Sequence, residues 1–344
     1  MNVQIILRLL HTLEQLRKHE RWTRPELEAY QAKELLRLRE FAYAGSPFYQ
    51  RFHKGLFDRP LSELPVLTKA NMMEHFDDLV TDRAIRLKDV RAHMANDRKG
   101  KRFLDRYWVT ATSGTTGNPG VFLFNQDEWV IVVATLGRAH EWAGVPMTPN
   151  HRMKMASVAS MNIGSPWHMG AQVANTFQSK WMRAWMPTLS FDAAQPLAEI
   201  VQQLNDWQPH MLAGYASMMR ILADEQLAGR LHIHPHMIIP GSEVLTDETR
   251  KRIEQAWGYA PFNAYGATEG GAGLAAETSD HAGMYVYEDN VIFEVVDEQY
   301  SPVPPGTYGD KVLITTLFSR TQPLIRYELS DSVRLATEPS RLNL

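Results

Sequence analysis

The stretch Thr110-Ala-Thr-Ser-Gly-Thr-Thr-Gly-Asn-Pro-Gly120 constrains the fold of this 344-residue chain more than any other. The apolar runs Trp108-Val109 and Val121-Phe-Leu-Phe124 flank it, and this pattern predicts a strand, a flexible turn and a second strand. Hairpin turns usually have about two to five residues, whereas this stretch is longer and rich in hydroxyl groups. Hydroxyl and backbone N–H groups donate to phosphate oxygens, and glycines let the backbone approach a ligand closely. We therefore predict an anion-binding loop, with an ordinary hairpin turn as the alternative.

Common phosphate-binding motifs do not match this stretch. A Walker loop ends in Gly-Lys-Ser or Gly-Lys-Thr, whereas Gly117 is followed by Asn118. No G-x-G-x-x-G opens a helix, and Ser113 does not lie in a G-x-S-x-G nucleophile elbow. The stretch instead resembles the phosphate loop T-S-G-T-T-G-K-P-K of the adenylate-forming superfamily, which includes acyl–CoA ligases and luciferases. Asn118 and Gly120 occupy the positions at which lysines are common in that loop.

Length and composition limit the classes of protein to which the chain can belong. A chain of 344 residues is long for one compact core and suits about two or three subdomains. The net charge of −3 gives no reason to expect nucleic-acid binding, and the absence of cysteine excludes disulfides, thiolate metal sites and a cysteine nucleophile. The apolar N-terminal residues fall at helical spacing, and no run approaches the ~18 residues of a membrane span. We therefore expect an amphipathic helix, no membrane span and a cytoplasmic protein.

Periodicity predicts an α/β fold with three regions. Residues 1–95 contain helical patterns, such as one that opens at Thr23-Arg-Pro-Glu26 and stops at Gly45-Ser-Pro47. In residues 96–280 strands alternate with helices, which predicts βαβ units and a parallel sheet. In residues 281–344 short strands punctuated by proline and glycine predict a small antiparallel sheet or barrel. The strands predicted for the middle region cover residues 155–158, 211–215, 237–241 and 261–264, and a turn is predicted at residues 165–170.

Two stretches of the N-terminal region resemble one branch of the superfamily in particular. Ser46-Pro-Phe-Tyr49 and Leu64-Pro-Val-Leu-Thr-Lys69 match, in order and spacing, the S-P-F-Y and L-P-x-x-T-K segments of the phenylacetate–CoA ligase-like branch of the superfamily. The resemblance extends from about Arg24 to Asp331 and therefore covers nearly the whole chain. It implies the fold of the large N-terminal domain of adenylate-forming enzymes.

The motif Tyr265-Gly-Ala-Thr-Glu269 follows a predicted strand, where open α/β sheets bind their ligands. A carboxylate there suits Mg²⁺, which binds carboxylates together with phosphate oxygens. A glycine-rich loop with an incidental acid is an equally good interpretation of these residues alone. The motif also resembles the Y-G-x-T-E segment of the superfamily. That resemblance implies that Tyr265 flanks the adenine, Thr268 contacts the α-phosphate and Glu269 binds Mg²⁺.

Two further segments resemble the nucleotide pocket of the superfamily. Pro240-Gly-Ser-Glu243 is similar to the segment that lines the adenine pocket, although a simple strand-to-helix turn would contain the same residue types. Pro323-Leu-Ile-Arg-Tyr-Glu-Leu-Ser-Asp331 is similar to P-L-I-R-Y-x-T-x-D, which implies that Asp331 binds the ribose hydroxyls, as acidic residues do in dinucleotide sites. Leu329 and Ser330 differ from the residues that are usual at those positions.

The candidate site residues follow from these motifs. The catalytic candidates are Thr268 and Glu269, of which Glu269 is also the metal ligand. The resemblance places an acyl pocket at Trp167, His168, Tyr215 and Ala216, although core packing explains Trp167 equally well. The nucleotide-binding candidates are Thr112, Ser113, Gly114, Thr115, Thr116, Gly117, Gly241, Ser242, Glu243, Tyr265, Gly266, Arg326 and Asp331.

Two polar clusters have alternative interpretations. His232, His234 and His236 alternate, which would place them on one face of a strand, but no distant pair of ligands completes a zinc site. Members of the resembling branch often carry zinc-binding cysteines after the Y-G-x-x-E motif, and since this chain has none we predict no zinc. The second cluster is either a solvated surface turn or a rim that attracts phosphate, and it consists of Arg98, Lys99, Lys101, Arg102 and Arg106.

The resemblance implies a reaction in which a small aryl or acyl carboxylic acid and Mg·ATP give an acyl-adenylate and pyrophosphate, followed in ligases by transfer to coenzyme A. The implied cofactors are ATP or AMP, Mg²⁺ and coenzyme A, and the partners are an acyl-carrier acceptor or a second copy of the chain in a homodimer. Because the superfamily continues into a small mobile domain with a catalytic lysine, and this sequence stops at Leu344, we expect ATP binding with little thioester formation. The alternative is a nucleotide- or acid-binding pseudoenzyme or partner subunit without full ligase activity.

Overall fold

The computed structural model describes residues 3–96, 100–112, 119–144, 153–159, 167–176, 186–271 and 273–338. The chain forms two compact units, and each unit is assembled from separate stretches of sequence. Unit 1 consists of Met1–Leu7, Val133–Ala267 and Gly271–Tyr285, and unit 2 consists of Arg8–Val132, Thr268–Gly270 and Val286–Leu344. The three-part division drawn near residues 95 and 280 from the sequence stays a prediction.

The secondary structure of the described residues combines helices with short strands. Helices are α1 (Val3–His19), α2 (Arg24–Gly45), α3 (Pro47–Phe52), α4 (Lys69–Glu74), α5 (Phe76–Leu79), α6 (Leu87–Asn96), α7 (Gln126–Trp142), α8 (Met169–Thr176), α9 (Leu197–Trp207), α10 (Ala216–Leu227) and α11 (Asp247–Trp257). Strands are β1 (Trp108–Ala111), β2 (Val121–Phe124), β3 (Met155–Ala159), β4 (Thr188–Asp192), β5 (Met211–Tyr215), β6 (Met237–Gly241), β7 (Ala264–Tyr265), β8 (Ala275–Glu277), β9 (Met284–Val286), β10 (Val291–Val296), β11 (Lys311–Thr316) and β12 (Tyr327–Leu329). Over these ranges, no helix is both long enough and apolar enough to cross a bilayer.

Unit 1 contains a four-stranded parallel sheet in the order β4-β3-β5-β6. Its core includes the buried side chains of Ile200 on α9, Leu222 on α10 and Ile253 on α11. The parallel sheet predicted from alternating strands and helices is therefore confirmed. The strand order reverses at β3, which has β4 on one side and β5 on the other, and open α/β sheets bind ligands at the carboxyl ends of strands next to such a point. Tyr215 lies at the carboxyl end of β5.

A small antiparallel pairing follows this sheet in unit 1, and it corrects one predicted strand. Ala264 lies opposite Ala276, and Tyr265 lies opposite Ala275, so β7 begins at the last residue of the predicted strand at 261–264. The physical reason is that the backbone N–H of Asn263 donates to the Glu277 carboxylate over 2.9 Å and is not available to a ladder. The residues before it include Pro261, which has no N–H to donate.

Three elements of unit 1, β4, β8 and α8, were missed by the sequence analysis. Strand β4 lies at the edge of the parallel sheet, and its sequence Thr-Leu-Ser-Phe-Asp alternates polar and apolar residues, a strand signal that the sequence analysis did not use. Helix α8 begins at Met169 and therefore includes the last residues of the turn predicted at 165–170. Residues 165 and 166 of that turn lie outside the described residues.

Unit 2 contains the hairpin of β1 and β2, which the sequence analysis predicted, and the antiparallel sheet β10-β11-β12. The predicted small antiparallel sheet is confirmed for β10 and β11, whereas β12 was not predicted and β9, predicted in the same region, belongs to the sheet of β7 and β8. The Ser46-Pro-Phe-Tyr49 segment has a structural role here. Ser46 caps α3, because its hydroxyl accepts from the backbone N–H of Tyr49, and it donates to the carbonyl oxygen of Asp78 over 2.9 Å. The buried Tyr49 hydroxyl donates to the carbonyl oxygen of Pro323 over 2.8 Å and accepts from the backbone N–H of Ile325. The segment therefore fastens α3 to the chain that leads into β12.

Glu128 makes a second long-range connection in unit 2. It is buried on α7, just after the hairpin, and one carboxylate oxygen accepts from the backbone N–H groups of Arg320 and Thr321. The other oxygen accepts from the backbone N–H of Asn125 over 2.6 Å and from the Thr321 hydroxyl over 2.7 Å. Burial raises the pKa of the Glu128 carboxyl, and these hydrogen bonds act in the opposite direction.

We expect the Glu128→Gln variant to lose about 1–3 kcal/mol of unfolding free energy, because its amide nitrogen would face the backbone N–H of Asn125 even when its amide oxygen accepts from Arg320 and Thr321. Urea unfolding measures the loss. The matched control is Glu40→Gln, since Glu40 is exposed on α2, and it should change the unfolding free energy by less than about 0.5 kcal/mol. Equal unfolding curves for the two variants would contradict the role assigned to Glu128.

Candidate functional site

The base of the predicted phosphate loop is well defined in unit 2. The backbone N–H of Thr112 donates to the carbonyl oxygen of Gly120 over 3.0 Å, and the backbone N–H of Gly120 donates to the Thr112 hydroxyl over 2.8 Å. These bonds extend the β1–β2 pairing by one step and hold the two ends of the loop together. The remaining candidates of the loop lie outside the described residues, and they are Ser113, Gly114, Thr115, Thr116 and Gly117.

Gly120 lies against two side chains at this base. A Cβ atom at position 120 would lie 2.9 Å from Cε2 of Phe122 and 3.4 Å from Cε of Lys69. The first distance is too short for any other residue to fit without a shift of the buried Phe122 ring. The second distance shows that the Lys69 side chain passes directly over the exit of the phosphate loop.

The backbone around Lys69 is fixed from both sides. Leu67 forms a parallel bridge with Tyr327. Its N–H donates to the carbonyl oxygen of Arg326, and its own carbonyl oxygen accepts from the backbone N–H of Glu328, each over 3.0 Å. Thr68 then caps α4, of which Lys69 is the first residue. Lys69 is therefore held beside β12, the strand that leads to Asp331.

Glu269, the predicted metal ligand, belongs to unit 2 and lies partly out of solvent. It lies with Thr268 in a single 3₁₀ turn, Thr268–Gly270, and is half-buried. Burial raises the pKa of the Glu269 carboxyl, while the positive charge of Lys69 lowers it and the negative charge of Asp331 raises it further. Glu269 in turn contributes to the raised pKa of the buried Tyr327 hydroxyl, after burial itself. Unit 2 therefore brings Glu269, Lys69 and Asp331 into one electrostatic neighbourhood.

Arg326 is a predicted cofactor-binding residue, but its side chain binds other groups of the protein. Its guanidinium is buried and forms an ion pair with Glu294 at 3.2 Å. It also donates to the carbonyl oxygens of Ser62, over 2.9 Å, and Leu64. These contacts hold the segment that leads to Lys69. Contact between Arg326 and a nucleotide stays a prediction, and this geometry gives it no support.

In unit 1 the carboxyl ends of β5 and β6 bring five candidates together. Tyr215 lies opposite Gly241 in the sheet, and α10 begins at Ala216 directly after Tyr215. The Glu243 carboxylate accepts from the backbone N–H of Ser217 over 2.8 Å. It therefore caps the start of α10, which satisfies one of the free N–H groups of that helix end. Ser242, between Gly241 and Glu243, is exposed with a positive φ of 61°.

Tyr265 and Gly266 follow a segment that a buried ion cluster holds in place. The Glu277 carboxylate pairs with Arg250 at 2.5 Å and with His281 Nδ1 at 3.1 Å, and it accepts from Asn263 as described above. Arg250 also donates to the carbonyl oxygen of Pro261 over 3.1 Å. This cluster fixes the approach to β7, and sequence reasoning missed it because its members come from separate segments without a motif.

Trp167 and His168 lie at the start of α8. Trp167 is 2% exposed, which agrees with the core-packing alternative. His168 is half-buried, its Nδ1 accepts from the backbone N–H of Gly170 over 3.3 Å, and its carbonyl oxygen accepts from Gln172. Burial lowers the pKa of His168, which favours the neutral ring. Its predicted role in an acyl pocket is not decided by these contacts.

The alternating histidines do not lie on a strand. Residues 231–235 have no regular secondary structure, and His232, His234 and His236 are exposed while the residues between them are buried. Within the part of the chain that the structure describes, no three histidine, aspartate or glutamate side chains gather as a ready-made metal site.

The sequence analysis did not name Lys69, whose side chain lies at the exit of the phosphate loop. Its motif, Leu64-Pro-Val-Leu-Thr-Lys69, served only to narrow the resemblance. The signal that could have identified Lys69 is the lack of lysine at positions 118 and 120. A phosphate loop without a cation of its own leaves room for a cation from another segment to bind the phosphate oxygens.

Comparisons with known proteins agree with the sequence resemblance. The family model for AMP-binding enzymes matches residues 104–314, which is more than half of the chain. The phenylacetate-coenzyme A ligase of Pseudomonas putida is 30% identical over 243 residues, which cover 67% of this chain and 51% of the ligase. The phenylacetate-coenzyme A ligase of Thermus thermophilus is 24% identical over 334 residues, which cover 92% of this chain and 67% of the ligase. The chain thus spans between about half and two-thirds of the length of these relatives.

A solved structure shows the same fold. The crystal structure of 2-hydroxyisobutyryl-CoA ligase in complex with 2-HIB-AMP and CoA superposes with a TM-score of 0.70 at 20% identity. The match covers 95% of this chain and 67% of that one. The predicted fold class and the predicted resemblance to adenylate-forming enzymes are both confirmed, and the chain belongs to the AMP-binding enzyme family.

Proposed function

We propose that this chain activates a small carboxylic acid with Mg·ATP, giving an enzyme-bound acyl-adenylate and pyrophosphate. The observation that carries the proposal, beyond family membership, is the grouping in unit 2 of Glu269, Asp331 and Lys69 near the closed base of the phosphate loop. Two relatives are named as phenylacetate-coenzyme A ligases, so transfer of the acyl group to coenzyme A is the proposed second step. An aryl or short acyl acid is the proposed substrate class.

The chemistry requires positioning and charge neutralisation rather than a nucleophilic side chain. A carboxylate oxygen of the acid attacks the α-phosphorus in line, the bond from the α-phosphorus to the bridging oxygen breaks, and pyrophosphate leaves with that electron pair. We assign Thr268 to the α-phosphate and Asp331 to the ribose hydroxyls. Tyr265 and Gly266, with Gly241, Ser242 and Glu243, are the proposed adenine-binding residues.

Glu269 suits the role of metal ligand. It is a half-buried carboxylate with a raised pKa, so a divalent cation would relieve the cost of burying its charge. Mg²⁺ characteristically binds through few protein carboxylates and completes its shell with phosphate oxygens and water, which agrees with a single acid at this position. When bound, Mg²⁺ would neutralise charge on the phosphate groups.

The proposed acid-binding pocket combines residues from two places in unit 1. Trp167, His168, Tyr215 and Ala216 are the proposed acyl pocket, and they come from the start of α8 and the junction of β5 with α10. A buried indole and a tyrosine ring suit an apolar acid. We therefore place phenylacetate first in a panel of aryl and short acyl acids.

The experiment that tests this function is ATP–pyrophosphate exchange by the purified 344-residue chain with that panel. Exchange that requires both an acid and Mg²⁺ supports adenylation. Calorimetric binding of ATP without exchange for any acid would favour the nucleotide-binding alternative. Formation of acyl–CoA is then assayed separately with the best acid, since exchange reports only the first step.

For Glu269→Gln we expect Mg²⁺-dependent exchange to fall by about a hundredfold or more, because the variant removes the proposed metal ligand from the site. The unfolding free energy should stay nearly unchanged, since the residue lies in a loop turn and not in a core. The matched control is Glu74→Gln, at an exposed position of α4 in the same unit. Exchange by Glu269→Gln at the rate of the control, over a full Mg²⁺ titration, would remove Glu269 from the mechanism.

For Asp331→Ala we expect ATP to bind about ten- to a hundredfold more weakly, since a charge-assisted hydrogen bond contributes about 1.5–3 kcal/mol. A cycle with 2′-deoxy-ATP makes the test specific. The parent chain should lose affinity when the 2′-hydroxyl is removed, whereas Asp331→Ala should not. Asp58→Ala, at an exposed position, is the control. Additive losses in the cycle would show that Asp331 does not contact the ribose.

A further inference from the structure

We infer that the ammonium group of Lys69 binds the polyphosphate oxygens of ATP and supplies the cation that the phosphate loop of this chain lacks. The inference rests on the proposed function and adds a residue to it. The loop carries Asn118 and Gly120 where an adenylate-forming loop commonly has lysines, so no lysine side chain comes from those two positions. A charge provided from outside the loop would serve the same need.

The position of Lys69 is the first support. Its Cε atom lies 3.4 Å from the point where a Cβ of Gly120 would be, so the ammonium, one bond further on, is next to the exit of the loop. Gly120 is hydrogen-bonded to Thr112 through both its N–H and its carbonyl oxygen, so the two ends of the loop meet at this point. The absence of a side chain at position 120 leaves the room in which Lys69 lies.

The partners of the Lys69 side chain are the second support. Over the described ranges, this partly exposed side chain makes no hydrogen bond and no ion pair within 4 Å. Phosphate oxygens are acceptors that suit an ammonium group, which carries three donors.

The rigidity of the segment is the third support. The bridge from Leu67 to Tyr327 and the cap at Thr68 fix the backbone immediately before Lys69. Arg326 holds the residues further upstream. The ammonium is therefore carried by a preorganised backbone, which lowers the entropy lost on binding.

Neighbouring cations of unit 2 are engaged elsewhere. Arg106 forms an ion pair with Asp82 at 2.6 Å, and the guanidinium of Arg102 lies over the ring of Trp108 at 5.1 Å. These contacts favour the surface-turn interpretation for those two members of the basic cluster. Lys69 differs from them because, among the described residues, its side chain has no such partner and lies at the exit of the phosphate loop.

The test compares Lys69→Met, Lys69→Arg and the control Lys54→Met, an exposed lysine of the same unit. Calorimetry with ATP, pyrophosphate and adenosine separates the phosphate contribution from the rest of the nucleotide. We expect Lys69→Met to bind ATP and pyrophosphate about ten- to a hundredfold more weakly, as for a lost charge-assisted hydrogen bond. Adenosine affinity and the urea unfolding midpoint should not change, and Lys69→Arg should retain most of the ATP affinity.

Each outcome separates this inference from the proposed function. If Lys69→Met binds ATP as well as Lys54→Met does, the role of Lys69 is wrong, while exchange activity and the Glu269 and Asp331 variants still support adenylation. If Lys69→Met weakens the binding of adenosine as much as that of ATP, or lowers the urea unfolding midpoint, then Lys69 has a structural role and the inference is overturned. A parent chain that binds neither ATP nor pyrophosphate overturns both.

Discussion

A single buried arginine fixes the geometry on which the proposed nucleotide site depends. Arg326 is 4% exposed, and its guanidinium joins the carboxylate of Glu294 to the carbonyl oxygens of Ser62 and Leu64. A planar guanidinium presents several donors in a fixed arrangement, which a lysine ammonium cannot reproduce. The carbonyl oxygen of Arg326 also accepts from the backbone N–H of Leu67. Arg326 thus connects the chain before β12 to the segment around Ser62, 264 residues earlier in the sequence. The spacing between Lys69 and Asp331 is therefore determined by paired backbone, not by flexible loops.

The charges carried by this framework explain why the site suits a polyphosphate. Lys69 and Asp331 both act on the half-buried Glu269 in unit 2, and partial burial of Glu269 makes these interactions stronger than they would be in water. The raised pKa of Glu269 reflects mainly the cost of keeping a carboxylate partly out of solvent. A nucleotide with its cation would bring charges of both signs to these groups. The site is thus built to neutralise charge, which is what displacement at phosphorus requires.

The sequence predicted the architecture better than it predicted the contacts. Amphipathic spacing and turn residues were sufficient for β3, β5, β6, α9 and α10, because each pattern reports local burial. Strand β4 was missed although Leu189 and Phe191 alternate with polar residues, since the alternation is short and only Phe191 is fully buried. The strand at residues 261–264 was placed too early because the N–H of Asn263 is taken by Glu277, whose position depends on the tertiary fold. Arg326 could be named from its motif, but its partners Glu294, Ser62 and Leu64 could not, since they come from distant segments.

The interleaving of the two units has a consequence for how the chain folds. Unit 1 is formed mainly by the continuous stretch Val133–Ala267, whereas unit 2 needs residues from both sides of it. The Tyr49 hydroxyl reaches its acceptor, the carbonyl oxygen of Pro323, across a sequence separation of 274 residues. Closing so long a loop adds little entropy per residue, but contacts this distant form late and slow the folding of a chain. During synthesis Arg8–Val132, the first part of unit 2, leaves the ribosome before β10 to β12. Its apolar surface is therefore uncovered until those strands are made. Unit 1 is then an insertion that folds early, and completion of unit 2 is the slow step during which the chain is most open to aggregation.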